Sequence, residues 1–478
     1  MNQSISYQLI SVAEVSSALS PRTWPFSLEW LPRSACLVGG TVRDALLGRN
    51  SEYLDLDFVL PTGAVETAQA IARHYKAGYV LLDAERQIAR VVFEQGTADF
   101  AQQVGSTLEA DLGRRDFTVN AIAYNPHTDQ LIDPLQGYAD LQKHLLRMVS
   151  AENLQEDPLR LLRAYRQAAQ LGFSVDEKTR LVIRQLAPLL RQIAAERIQS
   201  ELNYLLGTSK GTPWLAAAWQ DGLLQDCFPH TTAQSVELIA AIDQAFESLQ
   251  EIFPDFTQEL LSRIRNASRS SYATTGNFSD SLRYLQNTSE SKARGSFRTW
   301  LSIAKLTSLL PTDPTEAETQ LRCLKYSRNE VQAVSTILKC LPRIHAATRA
   351  SGSSTASQSE APNLLTPLSL RQQYELFQGV GATFPAAAVL TIAAGTPLET
   401  MVPLIQRFLI PTDPVAHPTP LLSGQELMAG LNLPPGPRIG HLLAAIQLAR
   451  AEGEITTAEE ALAWAGRLVE EERIKDKG

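Results

Sequence analysis

The sequence predicts an α+β protein, with a small mixed α/β head domain followed by elongated all-α domains. Three observations carry that expectation. Between Ala35 and Ala101, short apolar runs alternate with turn residues and helical spacings, as in a small sheet flanked by helices. From Gln155 onward the apolar spacing becomes helical and largely stays so. A chain of 478 residues has room for several domains, and 44% hydrophobic with 20% charged residues is an ordinary globular composition.

Residues 1–33 read as a leader, broken by Trp24-Pro25 and Leu31-Pro32, with no chemistry assigned. The head is expected over 34–140. Cys36-Leu37-Val38 reads as a buried strand that ends in the turn Gly39-Gly40. Thr41 through Leu47 has helical spacing, and Gly48 stops it. Leu54 through Leu60 is the next strand. Side chains at i and i+2 of a strand share a face, so Asp55 and Asp57 stand together while Leu54, Leu56 and Phe58 face the core. Adjacent carboxylates repel unless a cation sits between them, and oxygen donors suit a divalent ion, typically Mg²⁺. Gly39 and Gly40 let backbone N–H groups approach an anion, the following helix points its positive end there, and Arg43 adds a phosphate contact. The bland alternative is a turn beside a solvated acidic strand. The two features together, about fifteen residues apart, read as a site for a metal and a nucleoside triphosphate.

After the turn Pro61-Thr62-Gly63, Ala64 to Tyr75 reads as a helix packed through Val65, Ala68 and Ile71. Tyr79 to Leu82 and Ala89 to Phe93 are strand-like, with Asp83 to Arg86 as the turn between them. Thr97 to Ala101 is the following strand, and its Asp99 is the candidate third carboxylate. An exposed acid at a strand end is the other reading of Asp99. Arg114-Arg115-Asp116 precedes the apolar segment from Phe117 to Tyr124. Paired arginines suit triphosphate oxygens, Asp116 suits a ribose hydroxyl, and Asn120 falls one helical turn further on. By residue type alone, a helix cap with exposed arginines fits equally well.

The run Gly39-Gly40-Thr41-Val42-Arg43-Asp44 with Leu54-Asp55-Leu56-Asp57 resembles the signature of the class II (bacterial-type) tRNA nucleotidyltransferase and poly(A) polymerase family. Three later stretches repeat the family's order: Arg114 to Ala121, Glu156-Asp157-Pro158-Leu159-Arg160, and Glu196-Arg197-Ile198 with Glu201. The match spans roughly residues 34 to 205. The resemblance implies a nucleotidyltransferase head and transfer of CMP, and of AMP in some members, from CTP and ATP to the 3′ end of tRNA. It implies Asp55, Asp57 and Asp99 as catalytic residues, with Asp55 and Asp57 holding Mg²⁺. Members that add only C-C, only A or a poly(A) tail share the signature. A non-catalytic RNA-binding scaffold would keep the fold without the chemistry. The link from Asp99 to Arg114 is short, which resembles members that add only the two cytidines and leaves the final adenosine open.

A helical nucleotide-selecting neck is expected over 141–210. Asp157 and Arg160, three residues apart, are expected to share a helix face. A carboxylate acceptor beside a guanidinium donor matches the donor–acceptor edge that cytosine and adenine share, and opposes the reversed edge of uracil and guanine. Without the family context, a surface ion pair reads as well. Leu161, Leu162, Tyr165, Ala168, Ala169 and Leu171 form the buried stripe, ended by Gly172. Glu156, Arg163, Glu196 and Arg197 are expected to brace this helix, although Glu196 and Arg197 fit a solvated face equally.

Residues 211–345 read as a helical body, with a polar interval from Asn266 to Ser296. Residues 346–365 read as a flexible linker and 366–478 as a helical tail, whose Gly436-Pro437-Arg438-Ile439-Gly440 turn suits an RNA phosphate or simply starts a helix. Four scattered cysteines without metal-ligand spacing suggest reduced, buried thiols in a cytoplasmic protein. No signal-peptide pattern and no membrane-spanning apolar stretch is read, so no membrane partner is expected. The net charge of −8 disfavours nucleic acid on average, but between Asp157 and Arg197 eight cations face four acids, which offers a local basic surface for tRNA.

Overall fold

The computed structural model describes residues 19–49, 53–264, 298–350 and 368–475. The described residues divide into two compact units, the first ending at Pro229 and the second beginning at His230.

In the first unit the elements run β1 (Cys36–Val38), α1 (Gly40–Leu46), β2 (Leu54–Leu60), α2 (Ala64–Tyr75), β3 (Gly78–Asp83), β4 (Ile88–Phe93) and β5 (Gly96–Gln102). Next come α3 (Leu108–Leu112), β6 (Ala123–Asn125), β7 (Gln130–Ile132) and α4 (Gly137–Gln142). The seven strands form one sheet in the order β3-β4-β5-β2-β1-β6-β7. Only β2 and β5 pair in parallel, which sets Asp57 opposite Asp99. The register makes one face apolar. Leu56, Phe58, Ala89, Val91, Ala98 and Phe100 are all buried there, with α2 packed on β3, β4 and β5. The opposite face carries Asp55, Asp57, Thr97, Asp99 and Arg90.

Residues 19–33 are not a separate leader. Trp24 and Phe26 are buried against Phe58, at ring-centroid distances of 5.2 and 5.8 Å, and Phe58 stacks on Phe100 at 5.3 Å. The prolines that break this segment into short turns let it cover the apolar face instead of extending away from it.

The helical part of the unit contains α5 (Ala151–Glu156), α6 (Leu159–Leu171), α7 (Glu177–Leu186), α8 (Ala195–Leu206) and α9 (Thr212–Gln220). The expected stripe of α6 is buried, and Gly172 ends the helix at φ +74°. The neck does not stop at residue 210, because α9 packs on α6 and α8. Buried Asp221 fastens this packing, accepting from the Tyr165 hydroxyl and from Nε of Arg180 and Arg184, each arginine at 2.6 Å.

The second unit is helical over Ala233–Ile252, Pro254–Leu261, Trp300–Ser308, Pro314–Cys323 and Arg328–Ala350, then from Leu370 onward. The expected separation of a tail near residues 346–365 does not hold. Phe384–Ala393 is almost wholly buried among Ala233–Ile252, Trp300–Ser308 and Arg328–Ala350. Its apolar residues leave no polar face to present to water, so it serves as core. The last three helices, Gly424–Leu431, Pro437–Glu452 and Ala458–Lys475, share a core of their own around Leu427, Ile446, Ala461 and Ala465. The interval Asn266 to Ser296 and most of the expected linker lie outside the described residues.

By length and composition, Leu370–Ala393 is apolar enough to cross a membrane, although Arg371, Glu375 and Pro385 interrupt it. Within the fold, 61% of its most apolar window is buried, as in a core helix. Cys36, Cys227 and Cys340 are buried free thiols, whereas Cys323 is exposed.

Candidate active site

The site begins at Gly39, which caps α1 at φ +78° and ψ −139°, a conformation that side chains with a Cβ rarely adopt. A Cβ there would meet Arg115 Nη1 at 3.3 Å and Asp57 Oδ2 at 3.5 Å. The glycine turn, the second carboxylate and the second arginine therefore converge at one point. Gly40 opens α1, whose Thr41 hydroxyl donates to the Asp55 carbonyl and ties the turn to β2.

Asp55 is exposed, and the Thr97 hydroxyl orients its Oδ1 at 2.5 Å. The Asp57 carboxyl is pushed up to about 7. Burial is the largest cause, followed by the charges of Asp55 and Asp99, with Arg115 and Arg90 opposing. A cation beside these acids would favour the ionised form. Among the described residues no group of three or more His, Cys, Asp or Glu side chains is set to hold a metal. The donor set is the Asp55–Asp57 pair, which fits an ion such as Mg²⁺ that takes one or two carboxylates and completes its shell with water and phosphate oxygens. Asp99 shares the face, but both its oxygens are held by Arg90, with Nε–Oδ1 and Nη2–Oδ2 at 2.5 Å. The guanidinium thus offsets the charge of the candidate third carboxylate and fixes its orientation.

Arg115 lies 3.5 Å from Asp111, and its Nε is buried without a hydrogen-bond partner, a donor aimed at an absent acceptor. Arg114 is half-exposed beside Asp111 at 3.6 Å. Both arginines line a cavity of about 460 Å³ with Val59, Ile88, Ala101 and Arg160. A second cavity of about 420 Å³ is lined by Arg114, Glu156, Asp157, Arg160, Ile193 and Arg197. Exposed Arg86, from the β3–β4 turn, lines both.

Three expected ligand contacts turn inward. Arg43 is 7% exposed; its Nη1 donates to Asn120 Oδ1 at 2.7 Å, and its other nitrogens hold Asp44. Asp116 is buried and accepts from Phe117 N, Asn120 Nδ2, Arg163 Nε and Nη2, and Gln167. With its lone pairs taken, it has none for a ribose, and Arg163 and these donors hold its carboxyl at about 2 against the cost of burial. Asn120 ends a short 3-10 turn and bridges Arg43 to Asp116. Together these residues link α1 to α6.

Asp157 and Arg160 are not neighbours on one helix. Pro158 follows Asp157 and forces it into an extended conformation, φ −130° and ψ 90°, so α5 ends there and α6 begins at Leu159. Asp157 Oδ2 accepts from Arg197 Nη2 at 3.1 Å, while Arg160 Nη1 donates to the carbonyls of Asn153 and Arg114 at 2.8 and 3.1 Å. Both still line the same cavity. Glu196 is exposed in the first turn of α8, and Glu201 pairs with Arg166. The expected basic surface is largely neutralised, since Arg163, Arg166, Arg180, Arg184 and Arg197 are all in ion pairs. Sequence reasoning missed Thr97, Arg90, Arg86 and Asp111. Asp111 was findable, lying three and four residues before Arg114 and Arg115. The others depend on strand register.

A mixed sheet with paired carboxylates beside a glycine turn and an arginine-lined cavity defines a nucleotidyltransferase, a class of enzyme that is generally metal-dependent. Residues 35–147 match the poly(A) polymerase head domain, residues 172–235 an RNA- and SrmB-binding region of polymerase A, and residues 298–465 domain 2 of tRNA nucleotidyltransferases. The chain is 44% identical to the CC-adding tRNA nucleotidyltransferase of Synechocystis sp., over 93% of this chain and 96% of that one. It is 32% identical to the A-adding tRNA nucleotidyltransferase of Deinococcus radiodurans, over 92% and 96%. The Bacillus stearothermophilus CCA-adding enzyme, solved with CTP, shares the fold with a TM-score of 0.62 and 23% identity, over 93% and 94% of the two chains. The chain belongs to the class II tRNA nucleotidyltransferase and poly(A) polymerase family.

Proposed function

We propose that this protein extends the 3′ end of tRNA with cytidines from CTP, releasing pyrophosphate. The observation that carries the reading is the convergence of Gly39, Asp57 and Arg115 at one point. Backbone N–H groups of the Gly39-Gly40 turn and the unpartnered Arg115 Nε hold the triphosphate. Asp55, oriented by Thr97, and Asp57 hold divalent cations, Mg²⁺ by the hardness of their oxygens. Bound there in a pair, such cations lower the pKa of the tRNA 3′ hydroxyl and offset the charge of the leaving pyrophosphate. The hydroxyl attacks the α-phosphorus, and the bond to pyrophosphate breaks. Asp157, braced by Arg197, accepts from the base amino group, and Arg160 donates to the ring nitrogen. That pattern admits cytosine and adenine without a template.

The choice of CTP alone is supported by the short link between β5 and α3, residues 103–107, and by the CC-adding relative. A terminal adenosine from ATP is the second reading, favoured by the A-adding relative and by a base pattern that fits adenine too. Incubation with tRNA lacking its CCA end and one labelled triphosphate at a time decides. Addition of two cytidines and then arrest is expected; adenosine added to a tRNA ending in C-C contradicts CC-only addition.

A further inference from the structure

Three acids line the open sheet face, and among the described residues only Asp99 of the three is in an ion pair. The β2–β5 register sets Asp57 opposite Asp99, and the β4–β5 register sets Arg90 opposite Asp99, so the three side chains form a row across neighbouring strands. Arg90 engages both Asp99 oxygens at 2.5 Å in a side-by-side pair. The side chains of the two residues are only 16% and 18% exposed, so water does little to weaken the pair. Each Asp99 oxygen keeps a second lone pair, but the pair fixes the carboxylate toward Arg90 and offsets its charge, so Asp99 adds little attraction for a cation shared with Asp57.

We propose that Arg90 is a positioning residue that keeps Asp99 off the metal, leaving the cation to Asp55 and Asp57 until a triphosphate brings further oxygens. The inference rests on the metal reading above. Its consequence is that the protein binds a divalent ion weakly by itself and well only with its nucleotide. Arg90 also offsets part of the acidic charge on that face without lending an oxygen, so cation loading and substrate loading become coupled.

The test uses Mn²⁺ as a paramagnetic probe, titrated into the full-length protein without nucleotide and followed by the loss of the free-ion signal. The double substitution Arg90→Gln with Asp99→Asn, which leaves the net charge of the face unchanged, should bind Mn²⁺ within about twofold of the unmodified protein, and Arg90→Gln alone, which frees Asp99 and removes a cation, should bind about tenfold more tightly. Weakening of about tenfold or more in the double variant, as expected for loss of a ligand, would overturn the inference even if Arg90→Gln fails to fold. Asp57→Asn separates the two levels. Lost Mn²⁺ binding in that variant keeps the metal site, whatever Asp99 does; unchanged binding removes the site and this inference with it.

Discussion

Asp57 carries its proton up to a pH of about 7 in the metal-free protein, because burial and the neighbouring acids outweigh Arg115 and Arg90. A proton and a cation compete for the same oxygens, so Mn²⁺ affinity should rise about tenfold between pH 6 and pH 8. Calorimetric titration in two buffers of different ionisation enthalpy would register the released proton; an affinity flat across that range contradicts the site. Gly39 admits a sharper substitution. Gly39→Ala adds about 1–3 kcal/mol of backbone strain and pushes on Arg115, so the KM for triphosphate should rise and the melting temperature should fall by a few degrees. The Asp55–Asp57 pair was legible because a strand's period of two fixes its face. Arg90 was not, because nothing local in the sequence announces that it will stand opposite Asp99.

The junction between α5 and α6 shows what an element boundary does to a site. Asp157-Pro158 was read as helix interior from the spacing to Arg160, whereas the proline itself signals a break. The break turns Asp157 toward Arg197 and lets Arg160 anchor on two carbonyls, so the proposed base-reading pair is assembled from two helices and a third brace. Asp157→Ala should relax discrimination against UTP and GTP by about 1–3 kcal/mol, roughly ten- to a hundred-fold in relative kcat/KM. Asp116 was expected at the ligand and instead ties α1 to α6 from within. Its folded carboxyl lies near 2 against an ordinary 3.8, so its contribution is fully present above pH 3.8 and is lost as pH falls through 2. Asp116→Ala strands Arg163 and should cost about 3–5 kcal/mol at neutral pH in urea unfolding; an unchanged midpoint contradicts that role.

Across the whole molecule, the fold class and strands β1 to β5 were legible because short apolar runs bounded by glycine and charge have few other ways to fold, whereas the short β6 and β7 were not read as strands. Helix α2 was readable to its ends for the same reason. Domain boundaries were not. Composition marked residues 346–365 as a separator, yet Phe384–Ala393 beyond it is core for helices before it, a pairing between distant segments that no local window reveals. The count of cations over 157–197 also misled, since Arg163, Arg166, Arg180, Arg184 and Arg197 are spent on Asp116, Glu201, Asp221 and Asp157. In the proposed function, two carboxylates on β2 carry the chemistry and leave tRNA recognition to other residues. Single-turnover cytidine incorporation by Asp57→Ala, measured beside its tRNA affinity, tests it most directly. Incorporation should fall below detection while tRNA affinity stays within about threefold; near-normal turnover in that variant would contradict the account.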